Sequence, residues 1–156
     1  TSWAMLDFVK ADSINPILLP GENTFVCPVL KKEIKWEEKD VFNPAAVVRN
    51  DTLFLLYRAE DKAGKYAGTS RIGLAWSTNG LHFTKHPVPV LYPGNDSLKK
   101  YEWEGGCEDP RPDALGHAAI FRVVVACVGD LQSGDRRLHR RQPVIEIRLA
   151  DRLRIF

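Results

Sequence analysis

The sequence predicts an all-β fold, and three observations carry that expectation. Two apolar runs, Ala45-Ala46-Val47-Val48 and Leu53-Phe54-Leu55-Leu56-Tyr57, are separated only by the polar Arg49-Asn50-Asp51-Thr52. A third run, Arg71-Ile72-Gly73-Leu74-Ala75-Trp76-Ser77, leads directly into Thr78-Asn79-Gly80. Few segments repeat their apolar residues at the helical period. Short apolar runs bounded by turn residues are what buried antiparallel strands look like in sequence.

Taken in order, residues 1–20 are mixed in character, and Pro16 and Pro20 mark an extended arm. Asn50-Asp51 tolerates the left-handed backbone that a tight turn between the first two strands requires. Residues 61–69 form a polar, glycine-containing loop. After the third strand, Asn79-Gly80 is a strong short-range hairpin signal, which makes Leu81-His82-Phe83-Thr84 the returning strand. Four short strands in this space predict one blade-like antiparallel sheet. Pro87, Pro89 and Pro93 then impose an extended connection, because proline cannot donate to a ladder. Further on, residues 118–128 suit one strand, residues 136–141 form a basic block, and residues 144–149 alternate like an edge strand. Nothing there repeats Ser77-Thr78-Asn79-Gly80-Leu81-His82-Phe83.

The chain of 156 residues is long enough for one ordinary domain with a buried core. Its formal net charge of +2 does not point to nucleic acid. The charge is unevenly spread. Residues 1–111 hold ten lysines and four arginines against fifteen acids; residues 112–156 hold eight arginines, no lysine and five acids. All four tryptophans and all four tyrosines precede residue 112. Cys27, Cys107 and Cys127 are odd in number and lack metal-ligand spacing, which argues against a disulfide framework and a zinc site. His82, His86, His117 and His139 also lack ligand spacing. No run approaches the roughly 18 apolar residues of a membrane helix. No basic region followed by an apolar run opens the chain, so a cytoplasmic location is the expectation.

The densest chemistry lies in Trp103-Glu104-Gly105-Gly106-Cys107-Glu108-Asp109-Pro110-Arg111. Carboxylates, an arginine and nearby aromatic rings are what a sugar-processing site uses. A carboxylic acid in a semi-enclosed pocket can protonate a departing glycosidic oxygen. Asp109 is the candidate for that role, although an aspartate before proline also serves as a turn residue or cap. Glu108 is either a pocket carboxylate or the partner of an arginine. Arg111 either orients the acid or is an ordinary surface charge. Trp103, set among glutamates, is the candidate stacking platform, whereas Trp76 alternates with Ile72 and Leu74 and reads as core. Asn43 and Arg58 carry polar groups that suit sugar hydroxyls, and each has a plain structural reading as well, a turn and a strand-end charge; Asp61 sits in an acidic pair before a glycine-containing loop, whose plain reading is a solvated surface.

Several stretches in order resemble glycoside hydrolase family 130, the β-mannoside phosphorylases and β-mannosidases. They are Asp40-Val41-Phe42-Asn43-Pro44-Ala45-Ala46, Leu56-Tyr57-Arg58-Ala59-Glu60-Asp61, Ser70-Arg71-Ile72-Gly73-Leu74-Ala75, Ser77-Thr78-Asn79-Gly80-Leu81-His82-Phe83 and Gly106-Cys107-Glu108-Asp109-Pro110-Arg111. Asp12-Ser13-Ile14-Asn15-Pro16 and Trp36-Glu37-Glu38-Lys39 resemble the family's N-terminal arm. The resemblance implies part of a five-bladed β-propeller, with an arm over residues 1–39 and a blade region over residues 40–111. It implies inverting cleavage of a β-mannoside oligosaccharide by phosphate or by water. Asp109 maps to the general acid, Asn43 and Arg58 to the mannose pocket, and Asp61 to a carboxylate on the same loop. No cofactor is implied; inorganic phosphate is a cosubstrate in the phosphorylase version. No nucleic acid or membrane partner is implied either. Residues 112–156 match none of the family pattern, which leads to the expectation of a truncated or frame-shifted, inactive copy. The alternative is a non-catalytic carbohydrate-binding fragment.

Overall fold

Two left-handed residues set the first hairpin. In the computed structural model, which describes residues 10–63, 68–113, 120–125 and 144–148, strand β3 (Asp40–Arg49) turns into β4 (Thr52–Glu60) through Asn50 (φ 48°) and Asp51 (φ 56°). Such a two-residue turn matches the twist of the strands it joins. Strand β5 (Ser70–Ser77) pairs antiparallel with β4 from Leu53 opposite Ser77 to Glu60 opposite Ser70.

The returning strand is shorter than expected. β6 is only Thr84–Lys85, paired with Trp76 and Ala75. Local side-chain bonds explain the difference. Ser77 Oγ accepts the N–H of Asn79 and Gly80, and Asn79 Oδ1 accepts the N–H of Leu81 and His82 at 3.0 Å each. Those donors satisfy themselves within the loop and do not join a ladder.

Ahead of this four-stranded sheet lies a hairpin that the arm's composition did not announce, β1 (Thr24–Cys27) with β2 (Lys32–Lys35). Its alternation places Phe25, Cys27 and Ile34 inward. They join Trp36, Leu55, Tyr57, Ala59 and Ala75 in one apolar cluster on one face of the sheet. Leu56, Ile72 and Leu74 project to the other face and pack with Leu91 and Cys107. Strand β4 therefore serves two interfaces with alternate residues.

Two buried carboxylates are enclosed with their partners. Glu37 is fully enclosed, and its carboxylate accepts from Asn23 Nδ2 at 2.8 Å, Tyr57 Oη at 2.9 Å and Lys85 Nζ at 2.8 Å. Burial, with Glu37 alongside, drives the Tyr57 hydroxyl pKa far above its usual value. Arg71 and Asp61, also fully buried, pair at 2.5 Å.

The second sheet consists of β7 (Cys107–Asp113), β8 (Ile120–Val125) and β9 (Val144–Arg148), each antiparallel to the next. β8 and β9 fall where the sequence predicts strands. The basic block at residues 136–141, Cys127, His117 and His139 lie outside the described residues. A single helical turn, α1 (Lys99–Glu102), precedes β7. Gly106 then brings the chain against β5. Ser70 N–H donates to Gly105 O at 2.9 Å, and Gly106 has φ 103°. A Cβ at Gly106 would lie 2.1 Å from Ser70 O.

Two outcomes are expected from equilibrium urea melts. Gly106→Ala forces these backbones apart and costs about 1–3 kcal/mol, the range of overpacking changes. Asp61→Ala strands the Arg71 charge in the core and costs about 3–5 kcal/mol. Losses below half a kcal/mol in either variant would contradict the corresponding contact.

Candidate functional site

β3 and β7 carry the same local device. Each holds an Asn or Asp followed by proline, and each ladder is interrupted there, between Phe42 and Ala45 and between Glu108 and Arg111. Asn43 has φ 46° and Asp109 has φ 47°. Asn and Asp tolerate this left-handed backbone better than other side chains, and the proline that follows has no N–H to restore the ladder. Bulges of this kind re-aim side chains. Here the result is a hydrogen bond between the two bulges, from Asn43 Nδ2 to Asp109 Oδ1 at 2.9 Å. The Oδ2 of Asp109 has no partner among the described residues.

Beside this pair lies a cluster of charges. Arg58, on β4 opposite Phe42, donates from Nη2 to Glu60 Oε1 at 2.7 Å and forms an ion pair with Glu108 Oε1 at 2.5 Å. Its Nε donates to Ser70 Oγ at 2.8 Å, and Phe42 covers the guanidinium with its ring centroid 4.6 Å from Cζ. Lys39 Nζ grips the other oxygen of Glu60 at 2.7 Å.

The two glutamates respond in opposite directions. Burial raises the Glu108 carboxyl above its ordinary pKa, and the charges of Asp109 and Glu60 add to the rise against the pull of Arg58. A short ion pair and a raised pKa coexist because burial, with the charges of Asp109 and Glu60, outweighs the pull of Arg58. Burial alone would raise Glu60 too, but the hydrogen bond from Lys39 and the charges of Arg58 and Lys39 outweigh it and hold Glu60 below the ordinary value.

Of the residues singled out in the sequence, Asn43, Arg58, Glu108 and Asp109 come together. Asp61 does not join them. It follows Glu60 and so projects to the opposite face, where Arg71 at 2.5 Å and the N–H groups of Ala63 and Thr69 occupy its carboxylate. Trp103 is half-buried and packs against the cluster around Trp36 and Tyr57. Arg111 is exposed on β7 and makes no ion pair among the described residues. Glu60, Ser70, Lys39 and Phe42 are the participants that the sequence reading passed over. Strand alternation was the available signal, since Glu60 shares the face of Arg58. Among the described residues, no group of three or more His, Cys, Asp and Glu side chains could hold a metal ion.

The family model for glycoside hydrolase family 130, described as beta-1,4-mannooligosaccharide phosphorylase, matches residues 23–119. The match thus begins within the N-terminal region and continues past Arg111. A 1,2-beta-oligomannan phosphorylase of Thermoanaerobacter sp. (strain X514) is 36% identical over 135 residues. That alignment covers 83% of this chain and 39% of the relative, so the chain spans well under half the length of the protein it matches. A structure from work on family 130 glycoside hydrolases that target β-1,2 mannosidic linkages in Candida mannan superposes with a TM-score of 0.74 at 39% identity, covering 83% of this chain and 37% of the other. A glycosyl hydrolase from Bacteroides ovatus gives a TM-score of 0.74 at 44% identity, covering 81% and 37%.

The opposed shifts make opposed pH signatures in thermal melts. Glu108, raised in the folded state, lowers stability as pH climbs from the ordinary glutamate value through its own. The melting temperature of Glu108→Gln is therefore expected to gain on the parent across that window. Glu60, lowered in the folded state, contributes stability above the ordinary value and loses it as pH falls through its own. Glu60→Gln is expected to be the less stable protein near neutrality, with the gap closing in acid. Parallel pH curves for the two variants would contradict the assignment.

Proposed function

The chain belongs to glycoside hydrolase family 130, and from that premise we propose that it supplies the proton donor and part of the sugar-binding surface for inverting cleavage of β-mannosides. The observation that carries this reading is the Asn43–Asp109 contact set beside the Arg58–Glu108 pair. Asn43 occupies one oxygen of Asp109 and leaves the other to carry a proton. Protonation of the departing oxygen lets the glycosidic C–O bond break while a nucleophile attacks the anomeric carbon from the opposite face. If phosphate attacks, the new bond is between a phosphate oxygen and the anomeric carbon, and mannose 1-phosphate leaves. If water attacks, a second carboxylate roughly 6.5–9.5 Å away must take its proton. The name of the Thermoanaerobacter relative favours phosphate and a β-1,2 linkage. Arg58 and Asn43 hold the mannose hydroxyls in this reading, with Glu108 alongside as an ion-pair partner of the arginine.

The four-stranded β3–β6 sheet and the β7–β9 sheet are read as neighbouring blades of a five-bladed propeller. The antiparallel pairing and the equivalent placing of the two bulges support that. A second reading is sugar binding without turnover. It is favoured by the exposure of Asn43 in this chain, because a general acid works best where water is excluded.

The test is release of mannose or mannose 1-phosphate from a panel of β-mannosides, with and without phosphate, on folded, monodisperse chain. Phosphate-dependent turnover that drops about 100-fold or more in Asp109→Asn supports the proton-donor role and phosphorolysis. Phosphate-independent release of mannose selects hydrolysis. Binding that survives Asp109→Asn with no turnover in either protein selects the second reading. Neither binding nor turnover would sink both.

A further inference from the structure

Arg58 is constrained on several sides, and the constraints do not have equal origins. Phe42, Ser70 and Glu60 all belong to the first sheet. Glu108 alone comes from β7, in the second sheet. Glu60 follows Arg58 by two residues on the same strand, so both project to one face. One oxygen of Glu60 meets Arg58 Nη2 at 2.7 Å, and the other meets Lys39 Nζ at 2.7 Å. The backbone ties the same residues together, with Lys39 N–H donating to Glu60 O at 3.0 Å. Ser70 Oγ, which accepts from Arg58 Nε, is itself within 3.2 Å of Glu60 Oε1. Arg58 Nη1 has no partner among the described residues.

We propose that Glu60, backed by Lys39, is a positioning residue that sets the Arg58 guanidinium in place from within the first sheet, independently of the carboxylates on β7. Arg58 is then pre-set before a sugar or the second sheet meets it, and Nη1 is the donor left for a ligand hydroxyl. Only this last clause rests on the mannoside reading. A charge-assisted bond from a planar guanidinium loses geometric specificity when the group can swing. A pre-set donor removes that ordering step from binding. Glu60 suits the task because its partners hold its proton affinity down, whereas burial pushes that of Glu108 up.

The experiment follows hydrogen exchange at Arg58 Nε–H in the 15N-labelled chain, with the resonance identified by its loss in Arg58→Lys. Glu60→Ala is expected to speed exchange about tenfold, the worth of one such bond. Glu60→Gln, whose amide oxygen still accepts from Nη2, is expected to restore protection. Glu108→Ala is expected to stay within about twofold of the parent. If Glu60→Ala fails to fold, Lys39→Met frees the second Glu60 oxygen and is expected to speed exchange about threefold. Unchanged exchange on disturbing Glu60, or an equal loss in Glu108→Ala, would overturn the proposal. Binding of β-1,2-mannobiose, followed separately by ligand-observed NMR, is expected to weaken about tenfold in Glu60→Ala. Absence of mannobiose binding in the parent chain would sink the mannoside reading, while the exchange rates alone decide the positioning role.

Discussion

The close approach of Gly106 to the backbone of Ser70 decides where Glu108 and Asp109 stand. Two backbones meet there with no side chain between them, tied by the bond from Ser70 N–H to Gly105 O at 2.9 Å. Only a residue without a Cβ fits, and the positive φ of Gly106 favours glycine for a second reason. Glu108 and Asp109 follow within three residues. The glycine contact therefore sets the distance at which β7 carries them past Arg58 and Asn43. The interface between the sheets changes character along its length. It is apolar around Leu56, Ile72, Leu74 and Cys107, and it ends in the polar group of Arg58, Glu60, Ser70 and Glu108. Packing and chemistry thus share one seam.

Strand β4 makes this arrangement possible by dividing its residues between two faces. Tyr57 and Ala59 fill the side toward β1 and β2, while Leu56, Arg58 and Glu60 fill the side toward β7. The Tyr57 ring lies so close over Gly73 that a Cβ there would be 2.3 Å from Cζ. Buried charges on the first side are neutralised by direct partners, Glu37 by Lys85 and Asp61 by Arg71. On the second side the charges alternate, from Lys39 to Glu60 to Arg58 to Glu108. At the end of this array, burial and the charges of Asp109 and Glu60 raise the Glu108 carboxyl against the pull of Arg58.

Much of the fold was legible because it depends on local signals. The Asn50-Asp51 turn, the apolar runs of β4 and β5, and the positions of β8 and β9 all show in short windows of sequence. The β1–β2 hairpin was not expected, since its few inward residues are interspersed with lysines and glutamates. The loss of most of the returning strand depends on Ser77 and Asn79 side chains competing for backbone donors, which the Asn-Gly signal conceals. At the site, residue types pointed to Asp109, Glu108, Arg58 and Asn43. The adjacent Glu60 and Asp61 were the harder problem, because composition cannot rank neighbours. Period-two alternation could: it sends Glu60 to the face of Arg58 and Asp61 to the core. Trp103 was judged by its acidic neighbours, whereas its packing is decided by residues far away in sequence.

The hydrogen bond between Asn43 and Asp109 joins positions 66 residues apart. By contrast, the β3–β4 turn closes over two residues, and β4–β5 over a short loop. Closing a long loop costs more entropy than closing a short one, and contacts between distant residues slow folding. The hairpins are therefore expected to form first, with the pairing of the two bulges completing the native state. On the reverse path the same pairing is expected to be among the first to part. Loosening of the protein should thus be felt at Asp109 before it is felt in the sheet that carries Arg58.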